Sequence, residues 1–90
     1  MKYTASRGLK ASDAQVIGEE IEKLRADRGN VKPADIVEEA RSHSSRLHNY
    51  FDWDDKSAAE KFRLEQASYY LRTVEVTVHG KNVRAFHNVS

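Results

Sequence analysis

Residues Leu47 to Asp55 hold the densest chemistry in the chain: Asp52, Asp54 and Asp55 surround Tyr50, Phe51 and Trp53, and His43 and His48 lie close by. Carboxylates and imidazoles together can ligate a metal or move a proton. The spacing argues against both. An EF-hand loop needs a longer run of ligands, a central Gly and a closing Glu, and His43 and His48 stand five residues apart, wrong for one helical face. Asp54 or Asp55 suits the N-cap of a following helix, and the other acids suit a solvated surface. A Gly-rich phosphate loop and a nucleophile signature are both missing from the sequence. The chain therefore reads as non-enzymatic, with no metal and no cofactor.

The aromatic residues admit two roles. Tyr50, Phe51 and Trp53 could form a groove that captures a partner or stacks on a base. They could instead lock their loop onto the first and third helices. A chain with so few large apolar residues needs them in its core, so the second role is expected.

Basic residues near the C-terminus suggest another chemistry. Lys81 and Arg84 belong to a hairpin with His79-Gly80-Lys81-Asn82 at its tip, and Arg72 ends the preceding helix. Three helices followed by such a hairpin have the element order of a winged helix-turn-helix. In that arrangement helix three enters the major groove and the hairpin is the wing. Arg63 and Gln66 would face bases, Lys56 and Lys61 would contact phosphates, and an N-terminal segment with Lys2, Arg7 and Lys10 would reach the backbone. Two features oppose this. About a dozen residues separate helices two and three, where a helix-turn-helix has three or four. Helix two also carries Asp35, Glu38 and Glu39. Lys81 and Arg84 would equally serve to keep an edge strand soluble.

The whole-chain numbers bound these readings. Ninety residues without cysteine make one domain that must be stabilised by packing, with oligomerisation as the other available aid. The net charge of +1 arises from 15 basic and 14 acidic residues, which counts against extended phosphate binding but leaves room for a local basic face. No apolar run approaches the ~20 residues of a membrane span. A cytoplasmic protein without membrane contact is the expectation.

The elements follow from periodicity and punctuation. Ser12 and Gln15 form a capping box, and Ala14, Ile17, Ile21 and Leu24 line one face of a helix from about Asp13 to Arg28, stopped by Gly29-Asn30. Pro33 suits the first position of a second helix, with Ile36, Val37 and Ala40 on its apolar side and an end near Arg41 or Ser42. Ser44 or Ser45 caps a short helical turn through Leu47 and Tyr50-Phe51. Asp54 or Asp55 then starts a third helix whose Ala58, Ala59, Phe62, Leu64, Ala67, Tyr70 and Leu71 mark it as central. At Thr73 the period changes to two. A type II′ turn at Gly80-Lys81 would pair Val78 with Val83, Val76 with Ala85 and Val74 with His87. Residues 1–11 read as a basic flexible arm unless Tyr3 or Leu9 docks, and residues 12–90 as the single domain.

The pattern Leu47-His-x-Tyr50-Phe51-x-Trp53-Asp-Asp, followed by Ala58-Ala59, Phe62-Arg63 and Gln66-Ala67, resembles a family of small uncharacterised proteins encoded by bacteriophages and prophages. The likeness extends over most of the chain, from helix one through Pro33-Ala-Asp to the Val-rich strand and Arg84-Ala85-Phe86. It implies a phage or prophage setting, hence the cytoplasm of a bacterial host, and the N-terminal domain of a longer protein. It carries over no functional residue.

The expected fold is α+β, three main helices around the Phe62 face closed by a C-terminal β-hairpin. The expected function is a nucleic-acid-binding accessory or regulatory module using Lys81, Arg84, Arg72, Lys56, Lys61, Arg63 and Gln66. The alternative is a protein-interaction module that presents a helix face or the hairpin edge to a phage or host partner, or forms a homodimer by edge-to-edge pairing.

Overall fold

The computed structural model describes residues 1–6, 8–54 and 59–86. Strand β1 (Thr4–Ala5) precedes helices α1 (Ala11–Arg28) and α2 (Pro33–Ala40), a single 3-10 turn (His48–Tyr50), helix α3 (Glu60–Thr73) and strands β2 (Val74–Val78) and β3 (Lys81–Arg84). Three helices leading into an antiparallel hairpin give the α+β class in a winged-helix-like order. Arg7, Asp55, Lys56, Ala58 and His87 lie outside the described residues.

Helix α1 buries Ala14, Ile17, Gly18, Ile21 and Leu24, the stripe that the three- and four-residue spacing requires. Gly29 ends it at φ 85°, giving its N–H to the Arg25 carbonyl at 2.7 Å. The start differs from expectation. Lys10, not Ser12, is the N-cap, and no side chain caps the helix. Gln15 is engaged elsewhere: its Oε1 accepts the Tyr3 N–H at 2.8 Å, and its Nε2 donates to the Met1 carbonyl at 3.0 Å and to Glu19 at 2.8 Å. A side chain that holds the N-terminal segment cannot also close a capping box.

That segment does not behave as a free arm, because its docking condition is met. Thr4 pairs with Glu75 and Ala5 with Val74, so β1 adds a third antiparallel strand in the order β1-β2-β3. Tyr3 is only 4% exposed and stacks on Phe86 with ring centroids 6.0 Å apart.

Helix α2 begins at Pro33 as expected and buries Ile36, Val37 and Ala40. Lys32, an unusual residue before such a helix, is served from within: its backbone N–H donates to Asp35 Oδ2 at 2.9 Å.

Helix α3 departs further. It starts at Glu60 behind Ala59, not at Asp54, whose N–H donates to Asp52 Oδ1 at 3.0 Å. Its buried residues are Arg63, Ala67, Tyr70, Leu71 and Thr73, whereas Phe62 is 45% exposed. The core therefore does not form around Phe62. Ala67, Tyr70 and Leu71 set the rotation of the helix, and the position one turn before Ala67 on that stripe is 63, about 100° away from 62.

The hairpin keeps its predicted face and changes its register. Val76 pairs with Val83 and Val78 with Lys81, leaving His79-Gly80 as the two-residue loop. Both have positive φ, 51° and 79°, which is the type I′ pattern. The shift of two residues leaves Val74, Val76, Val83 and Ala85 on one face, since side chains alternate with period two. Val74 is fully buried there, and Val76 and Ala85 pack partly against the core. No helix among the described residues is long and apolar enough to cross a membrane.

Candidate nucleic-acid interface

The loop between α2 and α3 is held by its aromatic side chains. Neither Ser44 nor Ser45 caps the 3-10 turn, whose N-cap is Leu47; Ser45 braces the approach to it, its Oγ accepting the Leu47 N–H at 3.1 Å, and Leu47 is fully buried. Tyr50 donates its hydroxyl to Asp13 of α1 at 3.1 Å. Phe51 meets Tyr70 of α3 edge-on at 5.5 Å, and Tyr70 donates its hydroxyl to the Tyr50 carbonyl. Trp53 donates its indole N–H to the His48 carbonyl at 2.8 Å and stacks on the His48 ring at 5.1 Å. His48 in turn donates Nδ1–H to the Ala40 carbonyl at the end of α2 at 2.8 Å. The side chains that looked like a binding or metal site are the clamp between the helices. Among the described residues, no group of three or more His, Asp and Glu is placed to hold a metal ion.

Burial of this clamp has a pH consequence. Desolvation pushes the Tyr70 hydroxyl up to about 12, helped by its neighbours Tyr69, Asp13 and Tyr50; desolvation also raises Tyr3 and Tyr50. A tyrosine with a raised folded pKa keeps its proton in the native state after the unfolded chain has lost it. The contribution is therefore complete below pH 10 and is lost as pH climbs from about 10 to about 12. Urea midpoints measured across that window are expected to fall, and Tyr70→Phe, though less stable at neutral pH, is expected to show a shallower fall.

Two predicted base-reading residues belong to the same clamp. Arg63 is 5% exposed; its guanidinium lies 4.9 Å from the Trp53 ring centre and donates to the Asp52 carbonyl at 3.1 Å. Gln66 accepts the Asp52 N–H at 3.4 Å. Arg63 and the Gln66 Oε1 are both turned toward the loop. A planar guanidinium can be buried in this way because it stacks on an aromatic face while its N–H groups reach a carbonyl. The linker is also longer than expected, residues 41–59, which separates α2 from α3 well beyond a helix-turn-helix joint.

The remaining predicted cations are exposed: Lys61 and Arg72 on α3, Lys81 and Arg84 on β3. Lys61 and Arg72 are joined by Lys32, a cation nearly thirty residues away from Lys61 in the sequence. The three line a groove of about 680 Å³ between the start of α2 and α3, with Pro33 and Leu64 as apolar lining and Glu65 as its one carboxylate. The near-neutral total conceals how the charges are arranged. Lys23, Arg25, Arg28, Arg41, Arg46 and Arg63 each lie within 4.0 Å of a carboxylate. Lys2, Lys10, Lys32, Lys61, Arg72, Lys81 and Arg84 form no ion pair among the described residues, although Glu75 stands opposite Arg84 in the sheet register. Pairing on the other side is reflected in Glu19, Glu22 and Glu60, whose carboxyl groups are held below the usual range by hydrogen bonds from Gln15 and Arg46, from Arg25, and from Arg41 respectively.

Compared with models of protein families, with curated proteins and with solved structures, the chain matches none.

Proposed function

We propose that the protein is a non-enzymatic nucleic-acid-binding module that holds the phosphate backbone with Lys32, Lys61 and Arg72 at the α2–α3 groove and with Lys81 and Arg84 on the hairpin. The observation that carries this reading is the segregation of charge. The described α1 and linker cations are neutralised by neighbouring carboxylates, while these five, like Lys2 and Lys10 of the N-terminal segment, are left to solvent and to a polyanion. The phage or prophage setting, and with it a bacterial cytoplasm, rests on the Leu47–Arg63 resemblance.

A protein that neutralises about five phosphates releases their counterions, so between 50 and 200 mM salt affinity should fall roughly hundredfold for a single strand and about five-hundredfold for a duplex. A mobility-shift titration checks this. The absence of any shift at low salt, with duplex or single-stranded DNA or RNA, sinks the reading.

A protein-interaction role is the second reading, supported by a different observation. Val78 on β2 and Val83 on β3 are 45% and 39% exposed, and β3 is one of the two outer strands of the sheet. Such an edge can accept a strand from a partner. Self-pairing is the weaker form of this idea, because an antiparallel copy of β3 in register would set Lys81 against Arg84. Light scattering that finds only monomer at high concentration removes the homodimer.

A further inference from the structure

We infer that the nucleic acid taken by this protein is single-stranded, and that Phe62 on the outer face of α3 is the platform on which a base stacks. The inference rests on the nucleic-acid reading above and narrows it.

The outer half of α3 combines the two features that single-strand binding requires, cations for the backbone and an exposed ring for the bases. Lys61, Phe62, Glu65 and Arg72 are exposed, and Ser68 and Tyr69 are half-buried. With 3.6 residues per turn, Lys61, Glu65, Ser68 and Arg72 form one stripe, and Phe62 with Tyr69 forms the adjacent one. Among the described Phe, Tyr and Trp residues Phe62 alone is exposed to nearly half its area, the others being buried or half-buried; the exposed rings of His43 and His79 lie in the α2–α3 linker and at the hairpin tip. A base covers such a ring without needing a particular sequence, because every base has a π face. A duplex keeps those faces inside its stack and offers Phe62 nothing.

The features that would serve a duplex are the ones the fold removes. Arg63 and Gln66, suited by their geometry to paired hydrogen bonds with base edges, are turned into the Trp53–Asp52 loop. The long linker replaces the tight turn of a helix-turn-helix, although α2 still packs on α3. What remains is a cationic groove beside an exposed ring. The charge complementarity of Lys32, Lys61 and Arg72 commits the occupant to a polyanion, and Phe62 commits it to one with open bases. Glu65, the one carboxylate in the groove, weakens the site.

Fluorescence anisotropy with a labelled oligothymidylate and with a duplex of equal length, at low salt, tests this on the full chain. The wild type is expected to bind the single strand at least tenfold more tightly than the duplex. Phe62→Ala should weaken single-strand binding about tenfold and leave duplex binding unchanged, Phe62→Trp should retain it, and Glu65→Gln should strengthen it. Circular dichroism of each variant shows whether the fold is kept, and Phe62 is exposed enough for that. Equal or tighter duplex binding, or a Phe62→Ala variant with unchanged single-strand affinity, overturns the single-strand inference while the broader nucleic-acid reading stands. Binding to neither overturns both. Polyglutamate that displaces the oligonucleotide at equal charge overturns both in favour of an acidic protein partner.

Discussion

Gly18→Ala is expected to destabilise the protein by about 1–3 kcal/mol, the usual cost of overpacking a filled core. In an isolated helix the same change would stabilise by about 1 kcal/mol, because alanine is the better helix former. The expected sign is reversed by one neighbour. A Cβ at position 18 would sit 2.5 Å from Tyr3 Cγ and 2.7 Å from both Cδ atoms. These atoms lie at the root of the ring, where a side chain has no freedom to swing aside. The backbone beside them is also fixed, by the Gln15 bond to the Tyr3 N–H and by the Ser6 N–H donated to the Thr73 carbonyl at 3.2 Å. Relief requires β1 to shift or to leave, and leaving would expose Tyr3 at a cost of about 1.5–3 kcal/mol. Urea unfolding should therefore show a lower midpoint. In a Tyr3→Ala background the ring is gone, and Gly18→Ala should then raise the midpoint. A rise in the wild-type background would mean that β1 does not dock in solution.

Gly18 also shows where the sequence was legible and where it was not. Helices α1 and α2 were readable because their apolar residues recur at helical spacing between clear stops, Gly29 and Pro33. Strand β1 has two residues and no alternation to detect; its only sequence trace is a glycine inside the apolar stripe of α1, a position that a neighbouring ring can approach closely. The hairpin face was legible and its register was not, for one reason. Period-two alternation is blind to a shift of two residues, so Gly80-Lys81 and His79-Gly80 were both compatible with the valine pattern. The choice falls to His79, which accepts the positive φ that a type I′ loop demands at its first position. The start of α3 was misplaced because Asp54 has the right chemistry for a cap, whereas the helix begins only at Glu60, behind Ala59. Of the candidate interface, Lys61, Arg72, Lys81 and Arg84 were visible as unburdened cations. Lys32 was not, since only the packing of α2 on α3 carries it to Lys61 and Arg72. Charge alone pointed Arg63 outward, and no local pattern reveals that a tryptophan ten residues earlier returns to cover it.

Arg63 therefore provides the clearest separation between the clamp and the interface. Arg63→Ala is expected to lower stability by about 2–4 kcal/mol. It removes the stacking on Trp53 and the hydrogen bond to the Asp52 carbonyl, and it leaves that carbonyl without this donor in a partly buried loop. Glu60, 3.5 Å from Arg63 Nε, keeps Arg41 as a partner, so the loss of that ion pair contributes little. Arg63→Lys keeps the charge and loses the planar fork, so it should fall between the wild type and Arg63→Ala. Trp53 is the only tryptophan, and its fluorescence reports the change directly. Lys61→Ala should behave in the opposite way: stability within about 0.5 kcal/mol of wild type, because the side chain is exposed and forms no ion pair among the described residues, and a nucleic-acid salt slope smaller by about one. Binding by the folded Arg63→Ala protein, measured well below its unfolding midpoint, should match the wild type. An Arg63→Ala variant of unchanged stability that no longer binds would reverse the assignment and make the guanidinium a contact residue that leaves the clamp when nucleic acid arrives.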